Sequence, residues 1–214
     1  MSSKIGEVIQ ASTGEFTAQC YELHRPPPFG SLVKTREGEV EIYGVVSRAE
    51  TTSIEPGRRP IARGQEEKEE EDIYRASPQL EKLLRTDFTT LVVGHLEGGG
   101  GRESEKGGGS GETEKGKKGE RLHHYLPPRP ARIHSFVYLC DREEAVQFSQ
   151  SLDFLSILVG AGGQADELIA ASLRHDAAAQ PDPQDFLIRA GKELAVLLGG
   201  ETNRLNTILR RIKW

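Results

Sequence analysis

From Lys4 to Thr52 the chain passes through a series of strand-like runs punctuated by turn formers, and at no point does it hold a helical period. Ile5, Val8 and Ile9 lie around Gly6 before Ser12-Thr13-Gly14 stops the first run. In the second, Phe16, Ala18, Cys20 and Leu23 give a broken alternation that buries one face and leaves Thr17, Gln19 and Glu22 to water. Arg25-Pro26-Pro27-Pro28 ends it, because proline has no ladder donor and restricts the residue before it. Gly30 opens the third run, Ser31 to Thr35, and Arg36-Glu37-Gly38-Glu39 supplies a hairpin-type turn into the longest run, Val40 to Thr52. There Val40, Ile42, Gly44 and Val46 share one parity, and a glycine inside such a strand marks a bulge or a tight barrel corner. Four short strands joined by short loops predict a small closed antiparallel barrel, since closure removes exposed strand edges.

Downstream the pattern changes several times. Ser53 to Asp72 is polar, and its acidic block, Glu66 to Asp72, reads as a solvated segment beside an opposite patch of Arg58, Arg59 and Arg63. Ile73 to Thr86 predicts a helix capped by Ser77 with Pro78 at its first position, and Phe88 to Leu96 predicts a further strand. Residues 97–120, rich in Gly, Glu and Lys, cannot bury enough apolar surface to offset their ordering entropy, which predicts a disordered loop. Arg132 to Cys140 is apolar on both parities and is the expected strand that closes the barrel. Asp141 to Val159 then carries a helical stripe with Asp141 as N-cap, Asp166 to Arg174 is a short helix, Asp182-Pro183 starts another, and Thr202 caps a last amphipathic one. The expected fold is α+β: a β-barrel domain over residues 1–140 with an inserted helix and the 97–120 loop, then an α-helical domain over 141–214.

The pieces Ile5-Gly6-Glu7-Val8-Ile9, Glu15-Phe16, Gly30-Ser31-Leu32-Val33 and Tyr43-Gly44-Val45-Val46 come in an order that resembles the HAS-barrel. This is the small β-barrel shared by HerA-type translocating ATPases and the N-terminal portions of rotary ATP synthase ring subunits. The likeness covers about the first 50 residues and continues in patches to about residue 140. It implies oligomer contacts or docking onto a partner, because such barrels sit at the crown of ATPase rings and hold subunits together. The chain departs from those ATPases in lacking a Walker A loop: neither Gly116-Lys117 nor Gly191-Lys192 is followed by the Ser or Thr that would hold magnesium.

Charge and chemistry narrow the function classes. A net charge of −5 disfavours sequence-independent nucleic-acid binding, for which Arg58, Arg59, Arg63 and the aromatics Tyr21 and Tyr43 are the available residues. Two cysteines, Cys20 and Cys140, give no disulfide framework, and with no apolar leader or long apolar run this leads to the expectation of a cytoplasmic protein. Gly160-Ala161-Gly162-Gly163-Gln164-Ala165 satisfies the dinucleotide fingerprint formally, but it follows a helical segment, so a helix, glycine turn and helix are expected instead. His123, His124, His134 and Cys140 match no zinc-ligand spacing, and His95 reads as a hydrogen-bonded or surface residue. The expectation is a non-enzymatic interaction module with no cofactor and no metal, binding a protein partner or itself. Arg58, Arg59, Arg63, Arg204, Arg210, Arg211 and Trp214 are the candidate contacts, with a nucleic-acid-binding accessory protein of a DNA-processing translocase as the alternative.

Overall fold

The computed structural model describes residues 3–55, 57, 59–98 and 121–212. Its N-terminal half is a closed antiparallel barrel of six strands: β1 (Ser3–Ala11), β2 (Glu15–Cys20), β3 (Leu32–Glu37), β4 (Val40–Ser53), β5 (Leu84–Glu97) and β7 (Phe136–Leu139), with the short β6 (Arg121–His123) added outside β5. The neighbours run β2-β1-β7-β3-β4-β5, and pairing of β2 with β5 closes the ring. β7 stands between β1 and β3, so the last strand in the chain completes the barrel, as the two-sided apolar pattern of that segment predicted.

Inside the ring, Val8, Phe16, Ala18, Val33, Ile42, Val46, Phe88, Val92 and Val137 form a core almost wholly shielded from water. The register of β4 on β5 shifts at Tyr43/Gly44, which places the predicted irregularity at Gly44. A Cβ on Gly44 would fall 2.3 Å from the Thr90 methyl and 2.9 Å from the Leu91 carbonyl oxygen, so the close passage of β5 requires glycine there.

A second core lies on the outer wall of β3, β4 and β5, where Leu32, Tyr43, Val45 and Val93 pack under the C-terminal helices. Those helices are α3 (Arg142–Phe148), α4 (Leu155–Val159), α5 (Ala165–Ala179), α6 (Pro183–Leu197) and α7 (Thr202–Ile212). Phe148 is the hinge of this contact, with its ring 5.2 Å from Tyr43 and 5.3 Å from Phe154. The Asp141 carboxylate accepts from the Glu144 N–H while the Glu144 carboxylate accepts from the Asp141 N–H, a capping box that fixes the start of α3. Asp182 caps α6 with Pro183 in its first turn, also as predicted.

Four sequence-based boundaries are corrected. Ser77 closes α1 (Glu70–Ala76) as its C-cap, α2 is confined to Leu80–Leu83, and Leu84 to Asp87 are extended, because β5 pairs with β4 as far back as Ser53. The closing strand begins at Phe136, four residues later than expected: His134 takes a left-handed φ of 69° and the Ser135 N–H closes a turn on the Arg132 carbonyl. The expected helix over 141–159 breaks at Ser149–Phe154, although its stripe persists because Phe148, Leu152 and Leu155 all stay buried across the break. α5 continues past Arg174 to Ala179, and Gln180, the residue before Pro181, is extended. The disordered-loop expectation falls on residues that, apart from Glu97 and Gly98, lie outside the described ones.

One buried polar group carries a pH dependence. Asp176 is enclosed in α5 with the Ser172 hydroxyl donating to it at 3.4 Å, and burial raises its carboxyl from 3.8 to about 7. The folded chain therefore holds a proton that the unfolded chain releases between about pH 4 and 7, so stability falls as pH rises through that window and the penalty is complete above it. Asp176→Asn keeps the shape without the charge. It is expected to exceed the wild type in stability by on the order of a few kcal/mol at about pH 8 and to flatten the profile. Thermal melts across the window check this, and an unchanged profile would contradict it.

Candidate functional site

Coverage by the helices divides the barrel surface into a protected wall and a bare one. On the bare wall, β1, β2 and β7 bring Lys4, Tyr21, Phe136 and Tyr138 together. Tyr138 stands opposite Lys4 and Phe136 opposite Glu7 in the β1–β7 register. The Lys4 ammonium lies 4.4 Å from the Phe136 ring centroid and 5.2 Å from that of Tyr21, a cation between two aromatic faces. Tyr21 is 49% and Phe136 47% exposed, a large apolar area to leave in water on a strand pair that has every chance to carry polar groups. Glu7 borders the patch, accepting from the Tyr21 hydroxyl at 3.3 Å and pairing with His134. Pairing of β2 with β5 closes the six-strand ring, so on this wall the barrel presents side chains and not an open strand edge.

The protected wall ends in an ionic cluster that ties β3 and β4 to α3. Lys34 Nζ lies 2.6 Å from Glu144 and 3.4 Å from Glu41, and Arg36 Nη2 donates to Glu41 at 2.7 Å. Burial pushes the Glu41 carboxyl up, but the Arg36 hydrogen bond and the Lys34 and Arg36 charges outweigh it and hold the group below its ordinary range. These charges are spent on each other and on the fold. A cleft of about 590 Å³ lies between the barrel and the glycine turn before α5, lined by Thr17, Ser47, Arg48, Arg85, Asp87 and Gly163, among others. Within it Arg48 pairs with Glu50, and Arg85 with Asp87 at 3.0 Å.

The sequence-predicted contacts fall in separate places. Arg59 and Arg63 line a groove of about 420 Å³ with Ile61, Ile73, Tyr74 and Leu83, on the inserted α1–α2 segment. Arg204 is half-buried, donating to Asp166 at 2.7 Å and to the Val159 carbonyl at 3.3 Å, and Arg211 pairs with Glu167 at 3.0 Å. Both thereby join α7 to the acidic first turn of α5, while Arg210 is exposed and has no ion-pair partner among the described residues. Arg58 and Trp214 lie outside the described residues.

Other motifs resolve similarly. The Gly-x-Gly-x-x-Ala stretch joins α4 to α5 with Gly162 and Gly163 at positive φ, and Gly191-Lys192 lies inside α6, so neither is a phosphate loop. The four-residue zinc set does not assemble: His134 pairs with Glu7, and His124 packs on Phe148 with its ring centroid 4.6 Å away. Burial also raises the Cys140 thiol well above its ordinary value. Tyr43, one of the two aromatics available for base stacking, is buried against Phe148. Sequence reading missed the bare-wall cluster, since Lys4, Tyr21 and Phe136 are far apart in the chain and meet only through the pairing of β1 with β2 and β7.

No protein-family model matches the chain, and no curated protein matches it. Among the described residues no helix is long and apolar enough to cross a membrane.

Proposed function

We propose that the chain is a HAS-barrel-type assembly module that acts without catalysis, docking through its bare wall onto a partner protein such as a HerA-type or ATP synthase-type ring ATPase. The observation that carries the reading is the Lys4–Tyr21–Phe136 cluster, which among the described residues lies on a side of the closed barrel away from the C-terminal helices. Aromatic side chains around a desolvatable cation are the composition of interface hot spots rather than of ordinary solvated surface. The order of strands and turns in the first fifty or so residues supports the HAS-type assignment.

The test is affinity purification of the full chain from its native cell, wild type beside a Lys4→Glu/Phe136→Ser double variant. Wild type is expected to recover a ring ATPase that the variant loses, with circular dichroism showing both folded. Recovery of the same proteins by both would contradict the reading. The same cluster is also suited to stack single-stranded bases. Binding of single-stranded DNA or RNA at low salt, lost in the double variant, would favour the accessory nucleic-acid reading instead.

A further inference from the structure

At one end of the barrel, β5 and β6 set two imidazoles and a carboxylate face to face. His95 stands directly opposite His123 in the antiparallel register, and Glu97 is two residues along β5 on the same face. The ring centroids of His95 and His123 are 5.1 Å apart, and Tyr125 packs edge-on to His95 at 5.2 Å. His95 is 1% exposed, and its Nδ1 lies 3.1 Å from the Tyr125 carbonyl oxygen. A carbonyl can only accept, so the neutral ring carries its proton on Nδ1 and presents a lone pair at Nε2. No hydrogen-bond partner reaches that Nε2 among the described residues. It points at Glu97 Oε1, 3.7 Å away, while His123 Nε2 lies 3.9 Å from Glu97 Oε2, and one ligand atom from each of the three residues falls within 4.8 Å of the others.

We propose that His95, His123 and Glu97 form a binding site for a divalent transition-metal ion, zinc being the ion that suits two imidazoles and one carboxylate. The donor separations are somewhat wider than the roughly 3.3 Å edge of a tetrahedron with zinc–ligand arms of about 2.0–2.1 Å. Glu97, half exposed at the strand end, is the least confined of the three donors. The Tyr125 carbonyl does for His95 what an outer-shell acceptor does in metal sites generally: it fixes the tautomer and aims the ring. His124, the next residue, turns the other way into the Phe148–Phe154 contact and takes no part. Three protein donors leave a fourth position for water or for a donor from another molecule. Glu97 and His123 also flank residues 98–120 in the chain, so the ion would clasp the two ends of that segment together. An orphaned, buried lone pair facing a second imidazole and a carboxylate is the arrangement a cation completes.

The test uses the untagged full chain, stripped with a chelator and titrated with zinc chloride by calorimetry, with cobalt(II) absorption reporting coordination geometry. The expected result is one ion per chain with a tetrahedral cobalt spectrum. Glu97→Gln and His123→Asn should each weaken affinity by more than the roughly 10–100-fold that loss of an outer-shell partner costs. His175→Asn, at an exposed histidine that contacts the Phe29 carbonyl, should leave it unchanged. Glu97 is exposed enough that its variant folds whatever the site does, which circular dichroism verifies. Absence of stoichiometric zinc binding in the wild type, or binding that survives both Glu97→Gln and His123→Asn, would overturn the proposal.

Discussion

Gly30→Ala is expected to destabilise the fold by about 2–5 kcal/mol, a large part of the roughly 5–15 kcal/mol that holds a domain of this kind together. Two costs combine. Gly30 has a φ of +84°, a conformation that costs an L-residue about 1–2 kcal/mol. An added Cβ would stand 2.5 Å from the Ala171 Cβ and 2.7 Å from the Ser172 nitrogen, against α5 backbone that cannot yield as a flexible side chain would, and overpacking of this sort costs typically 1–3 kcal/mol. Gly30 also donates its N–H to the Val46 carbonyl at 2.8 Å, so the entry to β3, the long strand β4 and the helix α5 converge on one atom's width. Gly38→Ala is the control: φ there is +60° but nothing lies within 4 Å, so only the conformational cost of about 1 kcal/mol should appear. Chemical denaturation of the three proteins gives the comparison. Equal losses at Gly30 and Gly38 would mean that the barrel and α5 are not in the contact described.

Val137→Asp is expected to abolish folding. Val137 is fully shielded inside the barrel on β7, the strand that bridges β1 and β3, and an unpaired carboxylate there has no counter-ion within the apolar core. Its desolvation penalty alone is several kcal/mol, comparable with the whole stability. Replacement of residues 98–120 by Asn-Gly makes the complementary case and should leave the melting temperature within a few degrees. Glu97 pairs with Arg121, so the two strands can be joined by a two-residue turn, whereas removal of 98–119 alone would leave Glu120 as a single linking residue, one short of a hairpin loop. Soluble expression and circular dichroism decide both. A folded Val137→Asp protein would remove β7 from the closure of the barrel.

The barrel was legible in the sequence because its signals are local. Strand alternation around Phe16 and Ala18, turn formers at Gly14 and Gly38, and the parity of Ile42, Gly44 and Val46 each report on a few neighbouring residues, and each has its place in the ring. The closing role of the segment after Arg132 was legible too, from apolar residues on both parities, but its true start at Phe136 was not: the left-handed turn at His134 is set by hydrogen bonds to β1, which no local pattern reveals. Periodicity also misled where two short helices bury one continuous stripe, as in Phe148, Leu152 and Leu155.

The sites were less legible because they are made by pairing between distant strands. Arg204 and Arg211 on α7 were candidate contacts for a partner, yet they answer the carboxylates of Asp166 and Glu167, a relation visible only once α5 and α7 are packed. Lys4 and Phe136 come from β1 and β7, and Tyr21 from just beyond the end of β2. His95 and His123 stand on either side of the Gly-rich segment and gave no ligand spacing, while the adjacent His123-His124 pair drew the eye and sends its two rings in opposite directions.

Site-specific photo-crosslinking in the native cell tests the interaction surface most directly. With the photoreactive residue at Tyr21 or Phe136 on the bare wall, a covalent adduct to one partner protein is expected. At Val196, which is 74% exposed on α6 but belongs to the helical side, no such adduct is expected. Adducts at Val196 with none at Tyr21 or Phe136 would place the interface on the helices and contradict docking through the barrel wall.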